Sequence, residues 1–337
     1  MDTFTRLITD WYRQNKRNLP WRETSDPYLI WISEIILQQT RVDQGINYYL
    51  KFKKNYPTIS DLANASEESI LNDWQGLGYY SRARNLHFSA QFIRDEYNGL
   101  FPKNYSEIKA LKGVGNYTAA AISSFAYNKK HAVVDGNVYR LLSRVFNIGT
   151  PIDSTEGIKY FQSLADELID EKNPGQHNQA IMEVGSVICT PKNPNCSDCP
   201  LESKCLAKAS GTIGILPVKS KKTKVRKRFF HYLIFQENNE IIIERRIEKD
   251  IWQHLYQFPM IETDSSQTPE SLISKGVFIE SDEITHILSH QKITAKFYHL
   301  NAIPKKKESH WIKIKKGDIQ DFPLPRIIDR YLESNEF

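Results

Sequence analysis

Long apolar runs are missing from this chain. No stretch approaches the roughly 20 consecutive apolar residues that a helix needs to span a membrane, so a helical span is excluded. The opening residues Met1 to Arg6 also lack the basic end and apolar run of a secretory signal. A soluble intracellular protein is the expectation, with no membrane partner, and the missing targeting segment suits a bacterial cytoplasm. Cysteine is scarce and local, since all four lie between Cys189 and Cys205. In a reducing compartment that clustering argues for a metal site over disulfides. No internal repeat is present, in keeping with an α domain followed by a smaller α/β domain. Charge of one sign is not in large excess either: 45 Lys and Arg against 40 Asp and Glu leave a formal +5, too little to name a partner.

The chain does have the length and apolar content for two packed cores. Its 337 residues are long for one core, and 40% hydrophobic with 12% aromatic content excludes a disordered or fibrous chain. Residues 1–206 read as an all-α domain. Asp26-Pro27 is a helix start, a capping side chain followed by a proline whose missing N–H costs nothing there, and the helix is expected to run to about Thr40. Further helices are expected around 66–75, 81–96, 105–111, 117–127, 137–146, 155–171 and 176–188, separated by short Gly, Pro or Asn links. The composition changes after Cys205. Residues 207–227 have the character of an exposed linker, and Lys219 to Arg228 holds seven basic residues in ten. Taken alone, such a run is an ordinary solvated tether. Residues 228–337 form a smaller α/β domain: strands at Phe229–Phe235, Glu240–Arg245 and Ala295–Leu300, then a closing helix at Ile327–Ser334.

Three features carry chemistry. Cys189, Cys196, Cys199 and Cys205 are spaced C-x6-C-x2-C-x5-C; by spacing alone, four thiolates on one short loop suit either a zinc ion or an iron–sulfur cubane. Gly113-Val114-Gly115 precedes a helical Ala-rich stretch, an arrangement that turns backbone N–H groups and a helix N-terminus toward a phosphate. About twenty residues on, Asp135 sits in Val-Val-Asp-Gly-Asn, where it suits a helix cap and, held at that helix end, an ionised carboxylate.

Hairpin, Val-Val-Asp segment and cysteine loop, in that order, resemble the helix–hairpin–helix DNA glycosylases of the endonuclease III and MutY type over residues 5–206. The resemblance implies a [4Fe–4S] cluster on the four cysteines in place of zinc. Two features select the MutY branch, the adenine glycosylases acting opposite 8-oxoguanine. Glu34 lies on a helix apolar on nearly every side, so its carboxyl is expected to be buried with a raised pKa, with Arg22 or Arg41 as its ordinary partner. That proton suits acid-assisted departure of adenine, and Ser33–Thr40 resembles the branch's catalytic helix. Tyr117 stands where the lyase members carry the lysine nucleophile, so the resemblance implies a monofunctional glycosylase.

On the same resemblance Tyr117 and Asn137 position the reacting groups beside Glu34 and Asp135. Trp21 and Arg22 frame the adenine pocket. Leu37, Gln38 and Gln39 meet the base and the opened duplex, and Tyr79 wedges beside 8-oxoguanine. The C-terminal part resembles a Nudix domain through Asp250-Ile-Trp-Gln-His-Leu-Tyr-Gln-Phe-Pro, yet no R-E-x-x-E-E helix follows residue 226. Binding without hydrolysis is expected. Ser289 and His290 match the branch's lesion-sensing loop, with Leu288 in place of its usual Phe. The expected partner is double-stranded DNA carrying 8-oxoguanine:adenine mispairs, bound by a monomer. The alternatives are a catalytically silent lesion binder and a bifunctional endonuclease III-like glycosylase/lyase.

Overall fold

A computed structural model describes residues 3–220, 225–273, 279–300, 302–304 and 308–335. Residues 221–224 of the basic run therefore lie outside the described residues. The chain divides into two compact bodies, residues 1–64 with 88–221 and residues 65–87 with 222–337.

In chain order the helices of the N-terminal two-thirds are α1 Thr3–Asn15, α2 Pro27–Leu37, α3 Val42–Asn55, α4 Ile59–Asn64, α5 Glu67–Asp73, α6 Ser81–Glu96, α7 Tyr105–Ala110, α8 Asn116–Tyr127, α9 Gly136–Val145, α10 Thr155–Leu168, α11 Pro174–Glu183 and α12 Leu206–Ala209. The first body is built around α2, which buries all its residues from Ile30 to Ile36 and lies against α3 and α8. Its start is the one expected: Asp26 Oδ1 accepts from Tyr28 N at 2.9 Å with Pro27 in the first turn. Its end is not. The helix stops at Leu37, because Gln38 leaves helical geometry (ψ 114°) and Gln39 is left-handed (φ 59°). Helix α3, absent from the expected set, follows at once. A second core gathers Phe4 and Ile8 of α1, Leu141 and Leu142 of α9, Phe161 of α10 and Ile181 of α11. After α11 one helical turn widens to π geometry, Val184–Ile188. Gly185 lets that turn touch α9, since a Cβ there would stand 2.9 Å from Asn137 Cβ and Asn137 O. Part of the expected linker is docked: Ile152 N donates to Val218 O, and Arg144 Nε donates to Leu216 O.

The second body is a mixed sheet of β1 Arg226–Glu237, β2 Glu240–Arg245, β3 Tyr256–Gln257, β4 Met260–Thr263, β5 Ile279–Glu280, β6 Ile284–Ile287, β7 Gln291–Leu300 and β8 Trp311–Lys315, with α13 Glu270–Ile273 and α14 Arg326–Ser334. Strand β1 is central, running parallel to β7 and antiparallel to β2 and β4. Its buried run Phe230–Phe235 reflects cover on both faces. Helix α14 lays Tyr331 on Phe297, rings stacked at 3.7 Å. Residues 65–87 belong to this body through polar ties. Glu67 pairs with Arg245 and His254, Tyr256 donates to Glu68, and Gln75 donates to Asp329.

Candidate active site

The ends of α2, α8, α9 and α11 enclose a cleft of about 180 Å³, bordered by Trp21, Arg22, Glu34, Leu37, Tyr117, Asp135 and Asn137. Seven of the residues expected at a site from sequence thus meet in one place.

Glu34 is a buried carboxyl, 6% exposed. Burial pushes its pKa up to about 7; a hydrogen bond with the Tyr117 hydroxyl opposes this, the Asp135 charge adds to it, and Arg22 opposes it least. Tyr117 itself is pushed well above the ordinary phenol range by burial, so it remains a neutral hydroxyl, with Met182 Sδ 3.8 Å away.

Asp135 is the cap of α9. Its Oδ1 accepts from Asn137 N at 2.9 Å and Val138 N at 2.8 Å, and its Oδ2 accepts from Asn137 Nδ2 at 2.8 Å. These bonds hold charge on it, as expected at a helix end. Burial nevertheless outweighs them, so its pKa lies above the usual carboxylate value. The cap alone does not set the ionisation of this residue.

Four partners were not found from sequence: the buried Arg140 and Glu183, and the half-buried Arg17 and Gln179. Arg140, 8% exposed, donates Nη2 to Asn137 Oδ1 at 2.8 Å and to Gly185 O at 2.5 Å, and Nε to Cys189 O at 2.6 Å. A continuous polar chain therefore joins the first cysteine to Asp135. Glu183 accepts from Arg17 and Arg22 with both oxygens, and Arg22 Nε donates to Gln179 Oε1 at 3.0 Å. Burial opposes charge on Glu183, but the two guanidinium forks hold its pKa at about 2. One signal was available: Glu183 follows Ala-Ile-Met in an apolar helical stretch, the same pattern that marked Glu34.

Trp21 is buried edge-on against Tyr49 at 5.5 Å, in the Pro20–Arg22 turn. Gln38 Nε2 donates to Thr118 Oγ1 at 3.3 Å, and Gln39 is exposed beyond the helix end. In the hairpin, Gly113 alone needs glycine's freedom (φ 85°), while Gly115 has ordinary extended backbone and Val114 N donates to Leu111 O. The turn is braced from behind by Ser89, which donates to Lys112 O at 3.1 Å.

The cysteine loop folds so that Cys189, Cys196, Cys199 and Cys205 line one void. Arg144 donates to Cys189 Sγ at 3.4 Å and to Thr190 O at 2.8 Å. Among the described residues, no three His, Cys, Asp or Glu side chains gather closely enough for a single ion.

In the second body, Tyr79 has a left-handed backbone between Gly78 and Tyr80, and its hydroxyl bonds the Ser289 hydroxyl. Ser289 and His290 form the tip of the β6–β7 hairpin, closed by the mutual backbone bonds of Leu288 and Gln291. Tyr79 and the hairpin tip border a pocket of about 290 Å³ shared with Asp250, Ile251 and Trp252. Among the described residues no helix is long and apolar enough to cross a membrane.

Helices, hairpin and paired carboxylates are those of a DNA N-glycosylase, a hydrolase, and comparison with known proteins agrees. The HhH-GPD superfamily of base excision DNA repair proteins matches residues 32–167, and the NUDIX domain matches residues 231–334. An adenine DNA glycosylase of Buchnera aphidicola subsp. Acyrthosiphon pisum (strain APS) is 33% identical, covering 98% of this chain and 97% of its own. That of Buchnera aphidicola subsp. Baizongia pistaciae (strain Bp) is 40% identical over 76% of this chain and 73% of its own. A solved thermostable thymine-DNA glycosylase matches with a TM-score of 0.57 at 31% identity, over 61% of this chain and 95% of its own. The chain belongs to the adenine DNA glycosylase family.

Proposed function

We propose that this chain removes adenine mispaired with 8-oxoguanine or guanine from double-stranded DNA, acting as a monomeric, monofunctional glycosylase that leaves an abasic site. The observation that carries the reading is the carboxyl pair in one cleft: Glu34 with a pKa near 7, and Asp135 fixed by three hydrogen bonds. Among the described residues no lysine borders that cleft, which favours hydrolysis over amine chemistry.

The flipped adenine takes the Glu34 proton at N7. The C1′–N9 bond then breaks, its electron pair leaving with the base, and the sugar becomes an oxocarbenium ion. Asp135 stabilises that cation or bonds C1′ transiently. Water adds at C1′ and returns a proton to Glu34, so the enzyme is restored. Tyr117 holds the Glu34 carboxyl in place, and Asn137 does the same for Asp135. Trp21, Arg22 and Leu37 border the base, while Gln38, Gln39 and Tyr79 occupy the opened duplex. Gly113, Val114 and Gly115 bind a phosphate, and Ser289 with His290 reads the base opposite.

Cys189, Cys196, Cys199 and Cys205 would hold a [4Fe–4S] cluster. The donor set fits: four thiols line one void, with the Arg144 cation beside them. The cluster's contribution is rigidity of the loop that Arg140 ties to the catalytic carboxylate. A Cys199→Ser chain should lose visible absorbance; retained colour and iron would reject the assignment. We divide the roles as chemistry in residues 1–206, a linker at 207–227 and lesion reading in 228–337. Glu34→Gln should slow adenine release about a thousandfold, the scale of a lost general acid, while binding to the mispaired duplex persists. Full activity in that variant would refute the mechanism.

A further inference from the structure

Arg228 is 4% exposed, an unusual position for a guanidinium on a central strand. It sits 4.8 Å above the Phe230 ring and is held by two carboxylates at once. Nη1 and Nη2 donate to the two oxygens of Asp250 at 2.9 and 2.7 Å, and Nε and Nη2 donate to those of Glu262 at 2.7 and 2.6 Å. The same Nη1 donates to Gln291 Oε1 at 3.1 Å. Arg246 completes the network, donating to Asp250 Oδ2 at 3.0 Å and to Ile251 O at 3.1 Å.

The two ends of this network are the two walls of the pocket beside Tyr79. Asp250, Ile251 and Trp252 form one wall; Leu288 to Gln291, with the Ser289–His290 tip, form the other. Arg246 holds the first wall only. Arg228 reaches both. The chain is also strained at and just beyond the first wall: Trp252 and His254 adopt left-handed backbone (φ 58° and 69°) without being glycine. Such strain persists only where surrounding contacts over-determine it, as they do at ligand clamps. Here those contacts are Arg228 and Arg246 on Asp250, with Phe230 and His286 edge-on against the Trp252 ring at 6.1 and 5.7 Å.

We propose that Arg228 is a positioning residue that sets the spacing of these two walls, and thereby the discrimination between 8-oxoguanine and guanine opposite the target adenine. The inference rests on the reading above that this pocket receives the base opposite. The two bases differ by one N7–H donor and one C8 carbonyl, so an acceptor in the pocket must be held within hydrogen-bond tolerance. A buried bidentate arginine does this where a lysine cannot, because an ammonium lacks the planar fork.

The test compares kcat/KM for adenine release opposite 8-oxoguanine and opposite guanine in the full chain, in Arg228→Lys and in Gln291→Leu. The second variant leaves both ion pairs intact and cuts only the tie to the hairpin wall, so it decides the matter if Arg228→Lys does not fold. The ratio of the two values should fall about tenfold, the equivalent of one charge-assisted hydrogen bond. Equal losses on both duplexes, or no loss on either, would overturn the positioning role. A parent chain that shows no preference between the duplexes would instead overturn the reading of the pocket, and this inference with it.

Discussion

Arg22 commits its guanidinium to Glu183, with Nη1 and Nη2 donating to the two carboxylate oxygens at 3.1 and 2.7 Å. Arg22 was one of two arginines expected from the sequence to partner Glu34. Because Arg22 is taken by Glu183, its pull on Glu34 is the weakest of the influences acting there, behind burial, Tyr117 and Asp135. The other candidate, Arg41, stands at the start of α3 and is not among the groups that act on Glu34. Glu34 is therefore an acid that keeps its proton near neutrality.

That proton gives a pH dependence with a definite sign. Glu34 is raised to about 7 from the ordinary 4.5 of a glutamate, so it is protonated below 7 and ionised above. Single-turnover adenine release should be flat below that point and fall as pH rises through about 7. Stability follows the same linkage: the unfolded chain releases this proton first, so stability is lost as pH climbs from about 4.5 to about 7. Glu34→Gln removes that penalty. Urea unfolding at pH 8 should show the variant more stable by up to about 3 kcal/mol, whereas a less stable variant would mean that ionised Glu34 is well accommodated.

Glu183 titrates with the opposite sign. Its pKa is depressed to about 2, so its contribution is present above its unfolded value near 4.5 and is lost as pH falls through about 2. Glu183→Gln leaves two guanidinium groups without their shared counter-charge and should cost about 3 kcal/mol at neutral pH. The freed Arg22 charge should also favour ionised Glu34, moving the activity limb to lower pH. Unfolding and pH–rate measurements on the same variant check both statements; an unmoved limb would separate Arg22 from Glu34.

What was legible from sequence was whatever had a local cause. Asp26-Pro27 placed the start of α2, an apolar helix exposed Glu34 as out of place, and glycine spacing marked the hairpin. The end of α2 was missed by three residues, because Gln38 and Gln39 carry no breaker and the turn is made by backbone alone. The parallel pairing of β1 with β7 was not legible, since Phe230 and Ala295 are neighbours only in the folded sheet. The same holds for Arg17 with Glu183 and for Arg140 with Cys189, contacts between residues far apart in sequence. At Asp135 a local and a non-local cause oppose each other: the bonds at the helix end lower its pKa, and burial in the cleft, which no local pattern announces, raises it.

Ser289 and His290 offer a test of lesion reading that leaves the chemistry alone. Ser289 meets the Tyr79 hydroxyl at the hairpin tip, and both residues border the second-body pocket. Replacing the pair by alanine should lower the preference for 8-oxoguanine over guanine by about tenfold, the scale of one or two lost hydrogen bonds. Competition between the two duplexes measures this directly, and unchanged discrimination would remove the hairpin from the reading step.

Hydrolytic removal of adenine without strand cleavage is tested most directly by one single-turnover experiment. A duplex with adenine opposite 8-oxoguanine is incubated with excess protein, and half of each sample is treated with alkali. Free adenine together with strand breaks only in the alkali-treated half is the expected result. Breaks in the untreated half would contradict the monofunctional chemistry assigned to Glu34, Asp135 and Tyr117, and tight binding with no adenine released would contradict catalysis altogether.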